Sequence, residues 1–503
     1  MTASHHSSRL IRALALGLLL SSVSLASAQD PPRGKAAILP SVSELKPGWN
    51  VLRPGGETTC AKGGEYAFSV RPGATDKLLV WFEGGGACWT AEDCVGERFY
   101  RSQLDSAAVT APRNQGIFDH TNPANPFAAY STVIVRYCTG DIHLGDRDEI
   151  YTLRDGTGAG RPVTIHHRGQ VNAMAVLRWV HDNFPAPRDI FVSGSSGGGH
   201  PTPLYASLLA RHYSKARVAA LVDSARNSLP APDNHHWGFP GAVRRHAGWE
   251  QFPENWRLSD MFITAARTAP RLQLLGFDHA YDATARMRLR QLGGLDGGRA
   301  DLLALLRAEH REITRQVPSF RYFTVGGRGH GAVQQTNFYI YAAGGHRFRD
   351  WVADAAAGKP VATVECVDCS RPEFPFTERD LRIVERALAL VSAPGAWNAD
   401  DPPQQCRPKL VQYSLNCALR TAVDEIAPKE ITAAAWEVVY TAIEKMGPYF
   451  DDRRDELQDE RGIAPVFALH LFNSRPGTTA KDVIGVFEDA RDRIRAELRR
   501  KAK

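Results

Sequence analysis

Six short runs of apolar residues alternate along the chain with segments of helical periodicity. The runs are rich in β-branched and aromatic residues, as strands are, and cover 77–82, 132–137, 190–194, 218–223, 272–277 and 320–325. Within 170–184 the apolar residues instead recur every three or four positions. Nearly continuous apolar strands separated by helices are typical of a parallel sheet covered on both faces. The pattern predicts an α/β fold with a mostly parallel sheet flanked by helices.

The pattern changes near residue 376, beyond which no convincing strand is recognised. The final segment, "TTAKDVIGVFEDARDRIRAELRRKAK", carries a capping box at Thr479 and Asp482, followed by an apolar helical stripe. Residues 376–503 are therefore predicted to form a helical C-terminal domain or a lid. We interpret the charged face of the last helix as a solvated surface rather than a nucleic-acid site.

The N-terminus has the pattern of an export signal. Arg9 and Arg12 precede the apolar run "ALALGLLL", and Ala26 to Ala28 offer a cleavage site, so residues 1–28 are predicted to be a signal peptide. No later run approaches the roughly 18 apolar residues that a membrane-spanning helix needs. We expect a protein exported to the periplasm or the extracellular space, without stable membrane insertion.

The composition fits an exported protein with more than one domain. The chain has 503 residues, of which 43% are hydrophobic and 23% charged, as in ordinary globular proteins. Its eight cysteines favour disulfides in an oxidising compartment. Cys88 and Cys94 are expected to close a local loop, and Cys60 can pair with Cys138. The spacing of the other four disfavours zinc and leaves their pairing open: Cys366, Cys369, Cys406 and Cys417.

The stretch "DIFVSGSSGGGHP" (189–201) has the pattern of a nucleophile elbow. Gly194 and Gly198 frame Ser196 in a G-x-S-x-G motif that follows an apolar strand and precedes a helical pattern. The other two serines of the stretch lack this framing, so Ser196 is the candidate nucleophile. Pro201 and Pro203 lie near the first helical turn, which predicts a helix that begins late or is kinked.

A second glycine cluster follows the strand at 77–82. In α/β-hydrolases the loop at this place donates one N–H group to the oxyanion hole, and the residue after the nucleophile donates another. Gly85 and Gly86 in "FEGGGAC" and Gly197 after the serine are therefore the candidate donors. Such groups stabilise the negative charge that develops on the carbonyl oxygen of an ester during attack.

Five motifs in one order resemble those of the pectinacetylesterase/Notum family over roughly residues 45–375. They are "WFEGGGAC", "YCTGDIHLGD", "GSSGGG", "AYDATA" and "AAGGH". The resemblance implies an α/β-hydrolase domain over 29–375 and a Ser-Asp-His triad that cleaves O-acyl esters.

The resemblance implies a role for three residues. The nucleophile of the family corresponds to Ser196, its acid to Asp282 and its histidine to His346. The order serine, acid, histidine along the chain is that of α/β-hydrolases. Two alternatives remain open, namely His330 in "GRGHGA" as the base and Asp278 as the acid.

The expected function is that of a serine carboxylesterase that removes short O-acyl groups, acetyl first, from a polysaccharide or a small ester. The formal net charge of +6, or about +4 after Arg9 and Arg12 leave with the signal peptide, slightly favours an anionic uronic-acid polymer. Ala87 and Gly197 depart from the family pattern and loosen the site. A lipase or polyester depolymerase therefore stays open, as does a catalytically silent binding protein. No cofactor, metal or nucleic-acid partner is implied, and the oligomeric state is open.

Overall fold

The computed structural model describes most of the chain. The described residues are 34–97, 99–104, 111–154, 160–225, 235–291, 299–399, 406, 411–428, 430, 432–447 and 465–502. The predicted signal peptide, residues 1–28, lies outside them. Among the described residues, no helix is both long enough and apolar enough to cross a membrane.

A nine-stranded, mostly parallel sheet forms the centre of the molecule, with the strand order β1-β2-β4-β3-β7-β8-β9-β10-β13. Strand β2 pairs antiparallel with both β1 and β4, and the other pairings in this sheet are parallel. The nine strands are β1 (Asn50–Leu52), β2 (Phe68–Arg71), β3 (Ala74–Phe82), β4 (Tyr130–Val135), β7 (Asp189–Ser195), β8 (Arg217–Asp223), β9 (Gln273–His279), β10 (Arg321–Val325) and β13 (Val364–Glu365). All six strands predicted from the sequence belong to this sheet.

In the described part of the chain, two antiparallel pairs lie outside the central sheet. They are β5 (Arg147–Arg154) with β6 (Gly160–His167), and β11 (Ala342–Ala343) with β12 (His346–Arg347). Among the described residues, the helices before residue 400 are α1 (Ala91–Gly96), α2 (Gly169–Asn183), α3 (Thr202–His212), α4 (Gly241–Ala247), α5 (Leu258–Thr268), α6 (Ala283–Gln291), α7 (Arg299–Gln316), α8 (Phe348–Ala356) and α9 (Glu378–Ser392). Those after it are α10 (Leu415–Ile426), α11 (Ala433–Met446), α12 (Pro465–Ser474) and α13 (Ala480–Lys501).

Strand β3 shows why the sheet is covered on both faces. Leu79 and Trp81 belong to one buried apolar cluster, while Leu78, Val80 and Phe82 belong to another. Successive side chains of a strand point to opposite faces, so each face of the sheet has its own apolar core. The predicted α/β architecture with a parallel sheet between helical layers is confirmed.

The C-terminal region is helical, as predicted, from α9 to α13. The last helix begins at the predicted capping box, in which a carboxylate oxygen of Asp482 accepts the backbone N–H of Thr479 at 2.8 Å. Its buried stripe includes Val483, Phe487 and Ile494, which join the apolar cluster that covers one face of the sheet. The helical region therefore shares a hydrophobic core with the α/β domain.

All eight cysteines form disulfides, and the two predicted pairings, Cys60–Cys138 and Cys88–Cys94, are confirmed. The other pairs are Cys366–Cys369 and Cys406–Cys417. Because both of these pairs are oxidised, their four sulfur atoms are not available as zinc ligands. Four disulfides are typical of a protein that folds in an oxidising compartment.

Candidate active site

The chain turns sharply at Ser196, directly after β7. Ser196 has a φ of +56°, in the left-handed region that non-glycine residues rarely adopt, and it begins a 3₁₀ turn that ends at Gly198. The framing glycines permit this turn. A Cβ atom on Gly194 would lie 2.1 Å from the carbonyl oxygen of Gly198, and one on Gly198 would lie 2.1 Å from that of Phe82. The next helix begins only at Thr202, which confirms the late start predicted from the two prolines.

The two neighbouring serines make structural hydrogen bonds. The buried hydroxyl of Ser193 donates to the carbonyl oxygen of Leu221 at 2.7 Å. Ser195 is also buried, and its side chain is hydrogen-bonded to the carboxylate of Asp223. Ser196, by contrast, is only half-buried. It is therefore the most accessible serine of this stretch.

The glycine loop after β3 lies against this turn. A Cβ atom on Gly84 would lie 3.3 Å from the Cβ atom of Ser196. A Cβ atom on Gly197 would lie 3.4 Å from the backbone nitrogen of Gly86. The candidate oxyanion donors Gly86 and Gly197 are thus neighbours beside the candidate nucleophile, and Gly85 precedes Gly86 in the same loop.

Tyr137 holds the glycine loop in place. Its buried hydroxyl donates to the carbonyl oxygen of Gly86 at 2.8 Å and accepts a backbone N–H at 2.9 Å. Gly85 approaches the same ring so closely that a Cβ atom there would lie 2.6 Å from Cδ1. Nε2 of His143 lies 2.8 Å from the carbonyl oxygen of Glu83, the residue before the loop. A loop fixed in this way suits an oxyanion hole, which requires donors that are in place before the reaction.

Asp282 follows β9 and is hydrogen-bonded to His330, which follows β10. Oδ2 of Asp282 lies 2.7 Å from Nδ1 of His330, and Oδ1 accepts the backbone N–H groups of Thr284 and Ala285 at 2.9 and 3.0 Å. Burial of Asp282 acts to raise its pKa, but the charge of His330 and the hydrogen bonds outweigh burial, so the pKa is lowered. The side chain is therefore an ionised carboxylate at neutral pH, able to orient an imidazole ring.

The structure brings Asp282 together with His330 and not with His346. His346 is exposed in β12, where it pairs with Ala343, because the short β11–β12 hairpin carries it to the surface. The alternative acid, Asp278, is buried and lies 3.2 Å from Nε2 of His310. The alternative histidine, His330, is thus the one that contacts the predicted acid.

Asp223, at the end of β8, links the elbow to the loop that carries His330. Its side chain is fully buried, is hydrogen-bonded to Ser195, and accepts the N–H groups of Ala332 and Val333 at 3.1 Å. A Cβ atom on Gly331 would lie 2.8 Å from the Oγ atom of Ser195. The residues next to Ser196 and next to His330 are therefore in contact. Burial raises the pKa of Asp223 to about 6.

Sequence reasoning missed the supporting roles of Tyr137 and Asp223. Tyr137 opens the family motif "YCTGDIHLGD", so the motif itself was a signal that this tyrosine matters. Asp223 is the polar residue that ends the predicted strand at 218–223, and this position at the carboxyl edge of a parallel sheet was the signal for it.

One group of potential metal ligands is found within the described part of the chain. Sulfur atoms of Cys88 and Cys94 and a ring nitrogen of His167 lie within 4.8 Å of one another. The two sulfurs are joined in a disulfide, and the ring nitrogens of His167 are hydrogen-bonded to Tyr151 and to the carbonyl oxygen of Thr139. This group does not have the free ligands that a metal ion needs.

The strand order, with a strained serine after β7, an acid after β9 and a histidine after β10, defines a protein of the α/β-hydrolase fold. Within this class, residues 53–227 match the model of the pectinacetylesterase family, which confirms the resemblance seen in the sequence motifs. Residues 375–493 match a family of unknown function (DUF6197).

Among solved structures, the chain is similar to the Wnt deacylase Notum from Drosophila. The two sequences are 17% identical, the match covers 63% of this chain and 95% of the Notum chain, and the TM-score is 0.43. No curated protein sequence shows significant similarity to the chain.

Proposed function

We propose that this protein is a serine carboxylesterase in which Ser196 is the nucleophile and His330 the general base. Asp282 is the carboxylate of the triad, which orients His330. The observation that carries the proposal is the hydrogen bond between Asp282 and Nδ1 of His330, on a loop that contacts the neighbour of Ser196. We therefore assign the base to His330 instead of His346. The match of residues 53–227 to the pectinacetylesterases supports the reaction class.

In this mechanism Asp282 accepts the Nδ1–H of His330, and Nε2 takes the Ser196 proton as Oγ attacks the ester carbonyl. The N–H groups of Gly86 and Gly197 stabilise the resulting oxyanion. His330 then donates the proton to the departing alcohol, and an acyl-enzyme remains. A water molecule, deprotonated by His330, releases the acid and restores the Ser196 hydroxyl.

The proposed substrate is an ester of a short acyl group on a polysaccharide outside the cytoplasm, and acetyl is the leading candidate for this acyl group. Two features support a location outside the cytoplasm: the N-terminal pattern of residues 1–28 and the four disulfides. The positive net charge favours an anionic polymer. Ala87 and Gly197 leave more room than the family pattern and support an ester of longer acyl chain as the second candidate.

Two measurements test this function. A fluorophosphonate probe should label the wild-type protein and the S195A variant but not the S196A variant, and labelling of S196A would refute the nucleophile. The second measurement compares kcat/KM for p-nitrophenyl esters from acetate to palmitate and the acetate released from acetylated pectin and xylan. An optimum at eight carbons or more, with no acetate from either polymer, would favour the lipase-like alternative.

A further inference from the structure

The loop that carries His330 is seated on the segment that leads into the C-terminal helices. We call residues 326–333 the histidine loop. A Cβ atom on Gly326 would lie 1.9 Å from the carbonyl oxygen of Arg371, and one on Gly327 would lie 2.7 Å from Cδ of Pro372. The N–H of Gly327 also donates to the carbonyl oxygen of Cys369 at 3.0 Å. Gly326 and Gly327, in the first half of the loop, therefore pack directly against Arg371 and Pro372.

A buried ionic cluster fixes the same segment to the helical region. The guanidinium of Arg371 donates to a carboxylate oxygen of Glu437, which lies on α11 and is 2% exposed. Arg493, on α13, lies 3.5 Å from the other oxygen of Glu437. Burial raises the pKa of Glu437, and the charge of Arg371 offsets this only in part. Arg371 thus touches the histidine loop with its carbonyl group and α11 with its side chain.

Tyr440, one helical turn after Glu437, makes a second connection. Its Cε1 atom would lie 3.4 Å from a Cβ atom on Gly327, and its hydroxyl lies 3.2 Å from that of Tyr341. The ring of Tyr341 meets the ring of His279 edge to face, with centroids 5.2 Å apart. A Cβ atom on Gly329 would in turn lie 2.5 Å from Nε2 of His279. The helical region therefore supports the histidine loop at both Gly327 and Gly329.

We propose that the C-terminal helical region is a fixed part of the catalytic centre, in which Glu437 and Tyr440 are positioning residues for His330. Neither residue is proposed to touch the substrate. Glu437 acts through Arg371, and Tyr440 acts through Gly327 and through the ring of Tyr341. The contacts described here join the region to the loop of the base, which makes it a support rather than a lid. The inference rests on the proposed role of His330.

The test uses the full-length protein with the variants E437Q, Y440A and Y440F. E425Q is the matched control, because Glu425 forms an exposed ion pair with Arg386 within the same helical region. Misplacement of a catalytic group lowers the rate of the chemical step more than it weakens binding of a small substrate. With p-nitrophenyl acetate, we expect kcat to fall about 10-fold in E437Q and Y440A while KM changes less than about 2-fold. E425Q should keep wild-type values.

Hydrogen exchange gives a readout that does not depend on catalysis. Peptides from 326–333 should exchange faster in E437Q and Y440A than in the wild type, while peptides from 189–198 should not change. Wild-type kcat with unchanged exchange in both variants would overturn the proposal, and so would faster exchange throughout the α/β domain, which indicates general destabilisation.

Three variants, Y440F, H330N and S196A, separate the possible failures. If E437Q and Y440A do not fold, Y440F carries the test, since it removes one hydroxyl, and unchanged kcat and exchange in Y440F would overturn the proposal. If H330N and S196A retain wild-type turnover, the proposed function fails. Exchange in 326–333 then still reports whether the helices hold the loop.

Discussion

Nδ1 of His330 lies 2.7 Å from Oδ2 of Asp282, and the two side chains are 18% and 7% exposed. A carboxylate at Nδ1 selects the imidazole tautomer that carries its proton there. Nε2 is then the nitrogen that can accept a proton from a hydroxyl group. This is the tautomer that the proposed role of His330 as the general base requires.

The first prediction concerns the identity of the base. H330N should lower kcat for p-nitrophenyl acetate by about 10³- to 10⁴-fold, because the Ser196 proton loses its acceptor. D282N should have a loss of similar size through the wrong tautomer. H346N, which changes an exposed residue, is the matched control and should keep wild-type kcat. A large loss in H346N with full activity in H330N would return the role of base to His346.

The second prediction concerns the hydroxyl group of Tyr137. Y137F keeps the ring against Gly85 but loses the hydrogen bond to the carbonyl oxygen of Gly86. We expect kcat to fall about 10-fold, since one support of an oxyanion donor is lost while the donor itself remains. Y213F is the control, because the hydroxyl of Tyr213 also donates to a backbone carbonyl, that of Val180. Equal kcat values in the two variants would contradict a role for Tyr137 in the oxyanion loop.

The sheet and the elbow were predictable from the sequence because each depends on local information. Strand β7 is a continuous apolar run, and the G-x-S-x-G spacing specifies the turn that follows it. The position of the proposed base was not predictable in this way. His330 and His346 both follow β10 in glycine-rich segments, and only the packing of the chain decides which one returns to Asp282.

Tertiary contacts also explain why the supporting residues could not be assigned from the sequence. Asp223 looks like a polar residue that ends a strand, and its role depends on N–H groups more than one hundred positions away. Glu437 lies on an amphipathic helix where an acidic residue is usually solvated. Its burial against Arg371 depends on the packing of the helical region onto the histidine loop.

The third prediction ranks two disulfides by the loops that they close. Cys60 and Cys138 are 78 positions apart, whereas Cys366 and Cys369 are 3 positions apart. In the chain-entropy model, the long loop contributes about 4–5 kcal/mol to the free energy of unfolding and the short loop about 2 kcal/mol. Replacement of both cysteines by serine should therefore lower the denaturation midpoint more for the first pair. An equal or reversed order in chemical denaturation would contradict this ranking.

The fourth prediction concerns the pH dependence of stability that Asp223 causes. Burial raises its pKa to about 6 in the folded protein, compared with about 3.9 in an unfolded chain. A raised pKa means that the folded state binds the proton more tightly. The stabilisation from the protonated carboxyl group is therefore complete below about pH 4 and is lost as the pH rises through about 6.

The variant D223N isolates this contribution because an amide does not titrate. We expect the difference in unfolding free energy, wild type minus D223N, to fall by about 2–3 kcal/mol between pH 4 and pH 7. The fall occurs because ionisation of the buried carboxylate opposes folding, even though Ala332 and Val333 donate hydrogen bonds to it. The measurement is chemical denaturation of both proteins across this pH range. A difference that stays constant or rises with pH would mean that the folded state does not raise the pKa of Asp223.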